Sequence, residues 1–363
     1  MPRNEEKIRL EKYRYTNLYD KKRTVKMNFL IFAPNHIGDA VMSTPLIATL
    51  KKNYPQSLVV VFARKNVRDI FTPFPYLDYL FEYDKSIRNT LKKIKDIEFD
   101  YSFCLASSFK VALISKIKGV KNIVGYGRNW RSPLLTHRVK FYRHKPEYIV
   151  DFYMKLLQFI EIKEWDKNLQ LFVDSESEAK IRNYLESYGI KIGMDKIGCI
   201  LPGYSGYPHH NAKMWLSEYF AKIGEFLFSN GFKTFIVVGP KEEQLAKDIY
   251  SFYNKLIPLI NPALTIREVK AFLKFIDVFI SLDSGLRYIA RSFKKRGVTI
   301  YGPITPLWSL PINSSDDTFE IPLYLNLGCS PCYLHNCPIA GHPCTSLITP
   351  KLVIEKLEQI IKT

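Results

Sequence analysis

The sequence predicts two α/β domains, each built on a doubly wound parallel sheet. First, 363 residues are too many for one ordinary hydrophobic core and suit two domains. Second, short β-rich runs recur along the chain, and each is followed by a longer helical pattern. Third, those runs are almost continuously apolar, which is typical of parallel strands that helices cover on both faces.

The eight predicted strands fall into two groups of four. They are residues 28–33, 57–63, 100–106 and 122–127 in the first half, and 197–203, 232–240, 277–283 and 297–303 in the second. This grouping favours two open sheets over one closed barrel.

The predicted domain limits follow the same grouping. Residues 1–26 form a basic extension without a strand pattern, and 27–170 form the first domain. Residues 171–348 form the second domain. Residues 349–363 form a last helix, which begins with a threonine–proline pair.

Composition places the chain among globular proteins and gives it a strong positive charge. No apolar run reaches the roughly 20 residues that a membrane span needs. The charged N-terminal residues lack the apolar middle of a signal peptide, so we expect a cytoplasmic protein with reduced cysteines. A net charge of +18 implies a solvated lysine-rich surface or an acidic partner, namely nucleic acid, an anionic membrane or a phosphorylated substrate. Because no nucleic-acid-binding motif occurs, nucleic acid is the least favoured of these partners.

Ligands of open α/β sheets bind beyond the carboxyl ends of the strands, so the residues that follow each strand are the site candidates. Asp39 follows the first strand in the segment NHIGD, and Gly38 before it is a candidate for binding the donor because it allows close approach of a substrate. The segment has one glycine only and therefore does not match a dinucleotide fingerprint. Asp39 is either a helix cap or a catalytic base, and we favour the base because Pro45 allows the next helix to begin without it.

Anion-binding turns follow two strands of the second half. Asp283, Ser284 and Gly285 open a helix whose free N–H groups suit a phosphate. Thr305 follows the next strand and offers a hydroxyl to the same kind of ligand.

A further loop carries Lys213, in the segment LPGYSGYPHHNAKMW. Loop amides with a lysine point charge suit a pyrophosphate. His209 and His210 precede it, but no third ligand lies near them in sequence, so we interpret them as surface residues.

Five segments carry a family resemblance. They are FLIFAPNHIGDAVMSTPLIATLKKNYP, VGYGRNWRSPLLTHRV, LPGYSGYPHHNAKMW, SLDSGLRYIA with YGPITP, and CSPCYLHNCPIAGHPCTSLITPKLVIEKL. In this order they resemble glycosyltransferase family nine, the ADP-heptose:lipopolysaccharide heptosyltransferases. The cysteine-bearing tail is most similar to the heptosyltransferase II branch.

The resemblance implies a GT-B arrangement, in which two Rossmann-like domains face each other across a cleft and the second holds the donor nucleotide. It implies that Asp39 is the general base and that Lys213 binds the donor phosphates. Asp283, Ser284 and Gly285 match the donor-binding turn of the family.

The resemblance also suggests roles of looser register. Glu242, or the next residue Glu243, lies near the position of an acidic ribose ligand. Arg128 and Arg131 fall in the first-domain motif and are candidates for holding a phosphorylated acceptor.

Several positions depart from the family pattern. Tyr288 stands where a histidine is common, Arg287 and Arg291 replace small residues, and Pro262 replaces a glycine. These departures leave open a nucleoside-diphosphate sugar other than ADP-heptose.

The expected activity is inverting transfer of heptose to a lipopolysaccharide inner-core acceptor. No D-x-D pair stands out, so we expect catalysis without a metal or other cofactor. The basic charge fits attachment to the inner face of the cytoplasmic membrane, where a lipid-linked acceptor would lie. Two alternatives stay open: the same fold acting on a protein or another glycan, and a non-catalytic protein that binds anionic glycolipid or nucleic acid.

Four cysteines cluster near the C-terminus as Cys329, Cys332, Cys337 and Cys344. Four thiols in so short a segment suit a structural zinc or iron site, although the spacing differs from the usual paired CxxC ribbons. A structural metal and reduced thiols both remain open.

Overall fold

The computed structural model describes residues 26–142, 145–204, 208–259, 264–310 and 319–362. Pro262 and nearly all of the basic N-terminal extension lie outside these ranges. The described chain forms two six-stranded parallel sheets, which confirms the predicted pair of doubly wound α/β domains.

The first sheet has the order β3-β2-β1-β4-β5-β6. Its strands are β1 (Phe29–Phe32), β2 (Val59–Ala63), β3 (Tyr79–Glu82), β4 (Tyr101–Cys104), β5 (Asn122–Tyr126) and β6 (His137–Val139). In register, Phe29 of β1 lies between Val59 and Tyr101, so β1 is central and its carboxyl end faces the middle of the sheet edge.

The second sheet has the order β12-β11-β10-β7-β8-β9. Its strands are β7 (Lys196–Leu201), β8 (Phe232–Val237), β9 (Ile257–Leu259), β10 (Val278–Leu282), β11 (Arg296–Ile300) and β12 (Glu320–Leu323). The strand order reverses between β10 and β7. In doubly wound domains, ligands bind in the crevice at such a reversal, beyond the carboxyl ends of the strands.

Helices cover both sheets. They are α1 (Ile37–Met42), α2 (Thr44–Asn53), α3 (Lys65–Arg68), α4 (Ile87–Lys93), α5 (Phe109–Ile117), α6 (Ile149–Met154), α7 (Ser175–Ser187), α8 (Ser217–Ser229), α9 (Glu243–Phe252), α10 (Ile266–Phe275), α11 (Gly285–Ser292), α12 (Pro343–Ser346) and α13 (Pro350–Ile361). Among the described residues, no helix is long and apolar enough to cross a membrane.

All eight predicted strands are present, and the four strands that the sequence did not predict are the sheet edges β3, β6, β9 and β12. Central strands such as β2 are buried at every position. Edge strands bury only part of their length; β6, with sequence HRV, has no buried residue. Without a continuous apolar run, an edge strand of three or four residues gives no periodic signal.

The last helix packs onto the second sheet. Val353, Leu357 and Ile360 of α13 join the apolar cluster that contains α8 and the β10–β11 pair. The separate helix assigned to 349–363 is therefore part of the second domain's core, while the division at residue 170 stays a prediction.

The two domains touch through α1 and α11, which begin just after β1 and β10. A Cβ on Gly285 would lie 2.9 Å from Cβ of Ile37 and 3.2 Å from the backbone nitrogen of Gly38. A Cβ on Gly38 would lie 2.8 Å from the ring of Tyr288. Because either side chain would collide with the other domain, both glycines are needed for the domains to meet this closely.

Candidate active site

Asp39 lies in the first turn of α1, directly beyond the central strand β1. The residue that caps α1 is His36, and no side-chain cap hydrogen bond forms there. The following helix α2 begins at Thr44 with Pro45 in its first turn, as expected without help from Asp39. Within the described chain no hydrogen bond or ion pair engages the Asp39 carboxylate, so the carboxylate does not act as a cap.

Burial raises the pKa of Asp39 above its ordinary value. His36 and Arg128 act in the opposite direction and lower this pKa, and the negative charge of Asp283 adds to the increase. Asp39 is therefore within electrostatic range of Arg128 on its own domain and of Asp283 on the other. A carboxylate with a raised pKa and no fixed partner has the properties of a general base.

Lys213 and Asp283 form an ion pair on the second domain. The Lys213 ammonium donates to Oδ2 of Asp283 at 2.7 Å and to its carbonyl oxygen at 2.9 Å. Burial opposes the charged carboxylate, but Lys213 and Arg287 together lower the pKa of Asp283 to about 2. Asp283 thus stays ionised and positions the lysine at the carboxyl end of β10.

Arg287 and Glu320 extend this pair into a buried network. Arg287 donates to Oδ1 of Asp283 at 3.1 Å and to Oε1 of Glu320 at 2.7 Å, and both Arg287 and Glu320 have fully buried side chains. Arg291, one turn along α11, places its Nε 3.7 Å from Oε2 of Glu320. Burial disfavours the charged guanidinium, but Glu320 and Asp283 hold the pKa of Arg287 above its ordinary value.

Tyr288, which also departs from the family pattern, takes part in the contact between the two domains. Its ring packs over the Arg287 guanidinium at 4.0 Å and against Gly38 of the first domain. The close approach predicted for Gly38 is therefore to Tyr288, and the donor-binding role of this glycine stays a prediction.

Ser284 is the N-cap of α11, and its backbone is extended. Its hydroxyl makes no cap hydrogen bond and lies 3.3 Å from the hydroxyl of Ser281. The first-turn N–H groups of α11, which begins at Gly285, have no partner within the helix and face the same region as Lys213. The structure thus brings the predicted turn and the predicted lysine together.

Glu242 lies at the carboxyl end of β8, beside the loop that follows β7. Its Oε2 accepts the backbone N–H of Gly239 at 2.7 Å, and a Cβ on Gly203 would overlap the carboxylate. Burial raises the pKa of Glu242, against the hydrogen bonds from Gly239 and Tyr204. Glu243 is exposed on α9. Of the two glutamates, Glu242 is therefore the one that lies at the carboxyl ends of β7 and β8.

Thr305 is buried and caps a short 3₁₀ turn, accepting the N–H of Leu307 at 3.3 Å. Arg128 follows β5, donates to the hydroxyl of Ser107, and lies 4.8 Å over the ring of Phe141. Its positive charge lowers the pKa of Asp39, so the two side chains lie within electrostatic range, and a role of Arg128 toward an acceptor stays a prediction.

Arg131 lies in a different environment from Arg128. Its guanidinium is buried and donates to the carbonyl oxygens of Tyr126, Cys104 and Ala106. It therefore ties together the ends of β4 and β5, and its role toward a phosphorylated acceptor stays a prediction. The sequence motif contains two arginines, but it does not show that the second one donates hydrogen bonds to backbone carbonyl oxygens.

The four C-terminal cysteines are free thiols in the described structure. Burial and the neighbouring cysteines raise the pKa of the Cys344 thiol to about 11. In the ranges that the structure describes, no three His, Cys, Asp or Glu side chains converge as a metal site. His209 is exposed, as its interpretation as a surface residue requires, whereas His210 is half-buried and stacks on His335 with ring centroids 4.4 Å apart.

Two doubly wound domains in contact, with a lone carboxylate on one and a lysine beside a helix N-terminus on the other, have the architecture of a GT-B glycosyltransferase. The comparison with known sequences narrows this class. Residues 87–341 match the profile of glycosyltransferase family 9 (heptosyltransferase), and the chain belongs to that family.

Individual relatives agree with this assignment. Lipooligosaccharide heptosyltransferase 2 of Campylobacter jejuni is 28% identical over 350 residues, which cover 92% of this chain and 99% of the relative. The solved ADP-heptose lipopolysaccharide heptosyltransferase II of Escherichia coli has a TM-score of 0.74 at 20% identity, covering 92% of this chain and 98% of that one. A family 9 glycosyltransferase from Veillonella parvula has a TM-score of 0.78 at 18% identity, covering 93% and 98%. These two structures confirm the fold.

Proposed function

We propose that this glycosyltransferase moves heptose from ADP-heptose to a lipopolysaccharide or lipooligosaccharide inner-core acceptor. The named activities of the Campylobacter relative and of the E. coli neighbour support this donor and acceptor. The observation that carries the proposal is the position of Asp39, unpaired in the described chain, across the domain contact from the Lys213–Asp283 pair.

Asp39 is proposed as the general base of an inverting transfer. The acceptor hydroxyl attacks the anomeric carbon while its proton passes to the Asp39 carboxylate, and the nucleoside diphosphate leaves from the opposite face. Inversion needs the base and the leaving group on opposite sides of the sugar. We propose that Asp39 on the first domain and the anion site on the second lie on opposite sides of the bound sugar.

The leaving diphosphate is proposed to bind Lys213 and the N-terminus of α11. An ammonium group has three N–H donors, and Asp283 takes two of them. The third is available for a phosphate oxygen. The Lys213 charge and the amides at Ser284 and Gly285 neutralise the developing negative charge, so we propose that no catalytic metal is required.

Glu242 is proposed to accept hydrogen bonds from the ribose. A carboxylate has about four acceptor positions, and the N–H groups of Gly239 and Tyr204 occupy only part of them. The bonds to these N–H groups also fix the carboxylate at the carboxyl end of the β7–β8 pair.

Arg128 is proposed to hold a phosphate of the acceptor next to Asp39. We further propose that the enzyme works in the cytoplasm, at the inner face of the cytoplasmic membrane. Transfer to a protein or another glycan by the same machinery remains the alternative.

The test is a donor and acceptor screen by mass spectrometry. Wild type, Asp39→Asn and the exposed control Asp96→Asn are incubated with ADP-heptose or other nucleotide sugars, and with heptose-deficient core acceptors. We expect a heptose mass increment with wild type and with the control, and a loss of roughly 10²–10⁴-fold in Asp39→Asn. Transfer only to protein, or near-normal turnover of folded Asp39→Asn, would overturn the proposal.

A further inference from the structure

The positive charge is concentrated in one segment of the first domain. Residues 101–146 contain ten lysines and arginines and no aspartate or glutamate. The chain as a whole has 53 basic and 35 acidic side chains, so an interval of this length without any acid is a strong local departure. The segment contains β4, α5, β5 and β6, which form one side of the first sheet.

Each of these three strands is followed by an exposed aromatic side chain. Phe109 follows β4 and is 43% exposed, Trp130 follows β5 and is 92% exposed, and Tyr142 follows β6 and is 57% exposed. Since parallel strands end at the same sheet edge, the three residues lie along one edge, which we call the aromatic rim. Single exposed apolar residues are ordinary, but three exposed aromatic residues in the segments that follow neighbouring strands are not.

The loops that carry the rim are held together. Asn129 donates to the carbonyl oxygen of Ser107 at 2.9 Å, and Arg128 donates to the Ser107 hydroxyl. Asn129 and Trp130 have φ angles of 55° and 60°, a conformation that non-glycine residues rarely adopt. These bonds fix the β5 loop to the β4 loop while the indole of Trp130 stays in solvent.

Cations surround the rim. Lys110 is exposed beside Phe109, Lys140 is exposed at the end of β6, and Lys145 lies 5.6 Å over the ring of Tyr142. Aromatic rings with a polar edge prefer the boundary between lipid and water, and each lysine near an anionic surface adds attraction. Aromatic tips within an acid-free basic surface therefore fit an anionic bilayer.

We propose that the aromatic rim docks this protein onto an anionic membrane surface, with Phe109, Trp130 and Tyr142 in the headgroup region and the neighbouring lysines on lipid phosphates. This inference rests on the proposed function in one respect: docking would bring a lipid-anchored acceptor to Asp39. Arg128 belongs to the Trp130 loop and acts electrostatically on Asp39, so docking at the rim places the membrane beside the acceptor side of the crevice.

Vesicle flotation with the full chain tests the docking. Wild type is expected to float with equimolar phosphatidylcholine and phosphatidylglycerol vesicles, more weakly at high salt, and to stay behind with phosphatidylcholine alone. Trp130→Ala should weaken binding by about 10-fold and Lys110→Gln by about 5-fold. Trp165→Ala is the matched control, because Trp165 is 49% exposed outside the rim, and it should bind as wild type does.

Activity assays separate this inference from the proposed function. On an acceptor without its acyl chains, Trp130→Ala should keep the wild-type kcat and KM, and on the same acceptor in vesicles its KM should rise. Wild-type vesicle binding by a Phe109→Ala/Trp130→Ala/Tyr142→Ala variant would overturn the docking. An equal loss on the acyl-free acceptor would also overturn it, because the rim would then bind the saccharide. If wild type floats but transfers no heptose, the proposed function fails and the docking stands.

Discussion

Replacement of Glu320 by glutamine tests whether the buried network holds the donor side of the site. Glu320→Gln keeps the side-chain shape but removes the negative charge 2.7 Å from Arg287. Asp283 is then the remaining acid in direct contact with the Arg287 guanidinium, and it must also serve Lys213. Lys213 and Arg287 would then both depend on the single carboxylate of Asp283, which is largely buried.

The expected loss is large because both partners are buried. Removing one member of a buried ion pair costs about 3–5 kcal/mol. For a domain of this size, such a loss lowers the melting temperature by roughly 6–20 °C. The KM for the donor should also rise, because Arg287 draws Asp283 away from Lys213.

The assay is thermal unfolding followed by donor titration on the folded variant. Glu358→Gln is the matched control: Glu358 pairs with Lys362 on the surface of α13, and such pairs contribute about 0.3–0.5 kcal/mol. The double variant Arg287→Met/Glu320→Met removes both charges and should be more stable than Glu320→Gln alone. An unchanged melting temperature for Glu320→Gln, or a double variant that loses more than the single one, would refute the reasoning.

Three further substitutions have defined outcomes. Burial raises the pKa of Asp39, so the ionised carboxylate destabilises the folded state at pH values above the ordinary pKa. Asp39→Asn should therefore raise the free energy of unfolding at pH 7, while turnover falls. A loss of stability would instead indicate that Asp39 caps a helix. Burial lowers the pKa of Lys270 to about 7, so the unfolded chain binds more protons between there and 10.5, and stability should rise with pH across that window. Urea titrations of Lys270→Met should lose this slope and those of Lys274→Met, on the exposed side of α10, should keep it; an unchanged slope in Lys270→Met would contradict the assignment. Gly285→Ala should lower kcat by roughly 10²-fold through displacement of the domains, and Gly328→Ala, whose Cβ meets open space, should not; equal rates in the two variants would exclude the contact.

The sequence predicted those strands and site residues whose pattern lies in consecutive residues of the chain. Central strands such as β2 are uniformly apolar and were recognised, whereas β6 buries none of its residues and was not. Asp39 was located because a glycine turn after an apolar strand marks a sheet edge, and the structure places it there.

The sequence did not predict the pairings between distant residues. Lys213 was predicted to bind the donor phosphates and Asp283 to belong to the donor-binding turn, but their mutual ion pair spans 70 positions. Glu320 gave no signal, because its partner Arg287 lies 33 residues away and its strand is a short edge. The sequence also did not show that Arg131 is buried against the backbone carbonyl oxygens of Tyr126 and Cys104.

The contact between Gly38 and Gly285 sets a mechanical stop on domain closure. Asp39 is covalently next to one glycine and Ser284 is next to the other, so the shortest separation between base and anion site is fixed by backbone thickness. In the proposed mechanism the donor sugar lies between the base and the anion site, so it has to hold the two turns apart. The proposal therefore assigns part of the donor's binding energy to separating the two glycine turns.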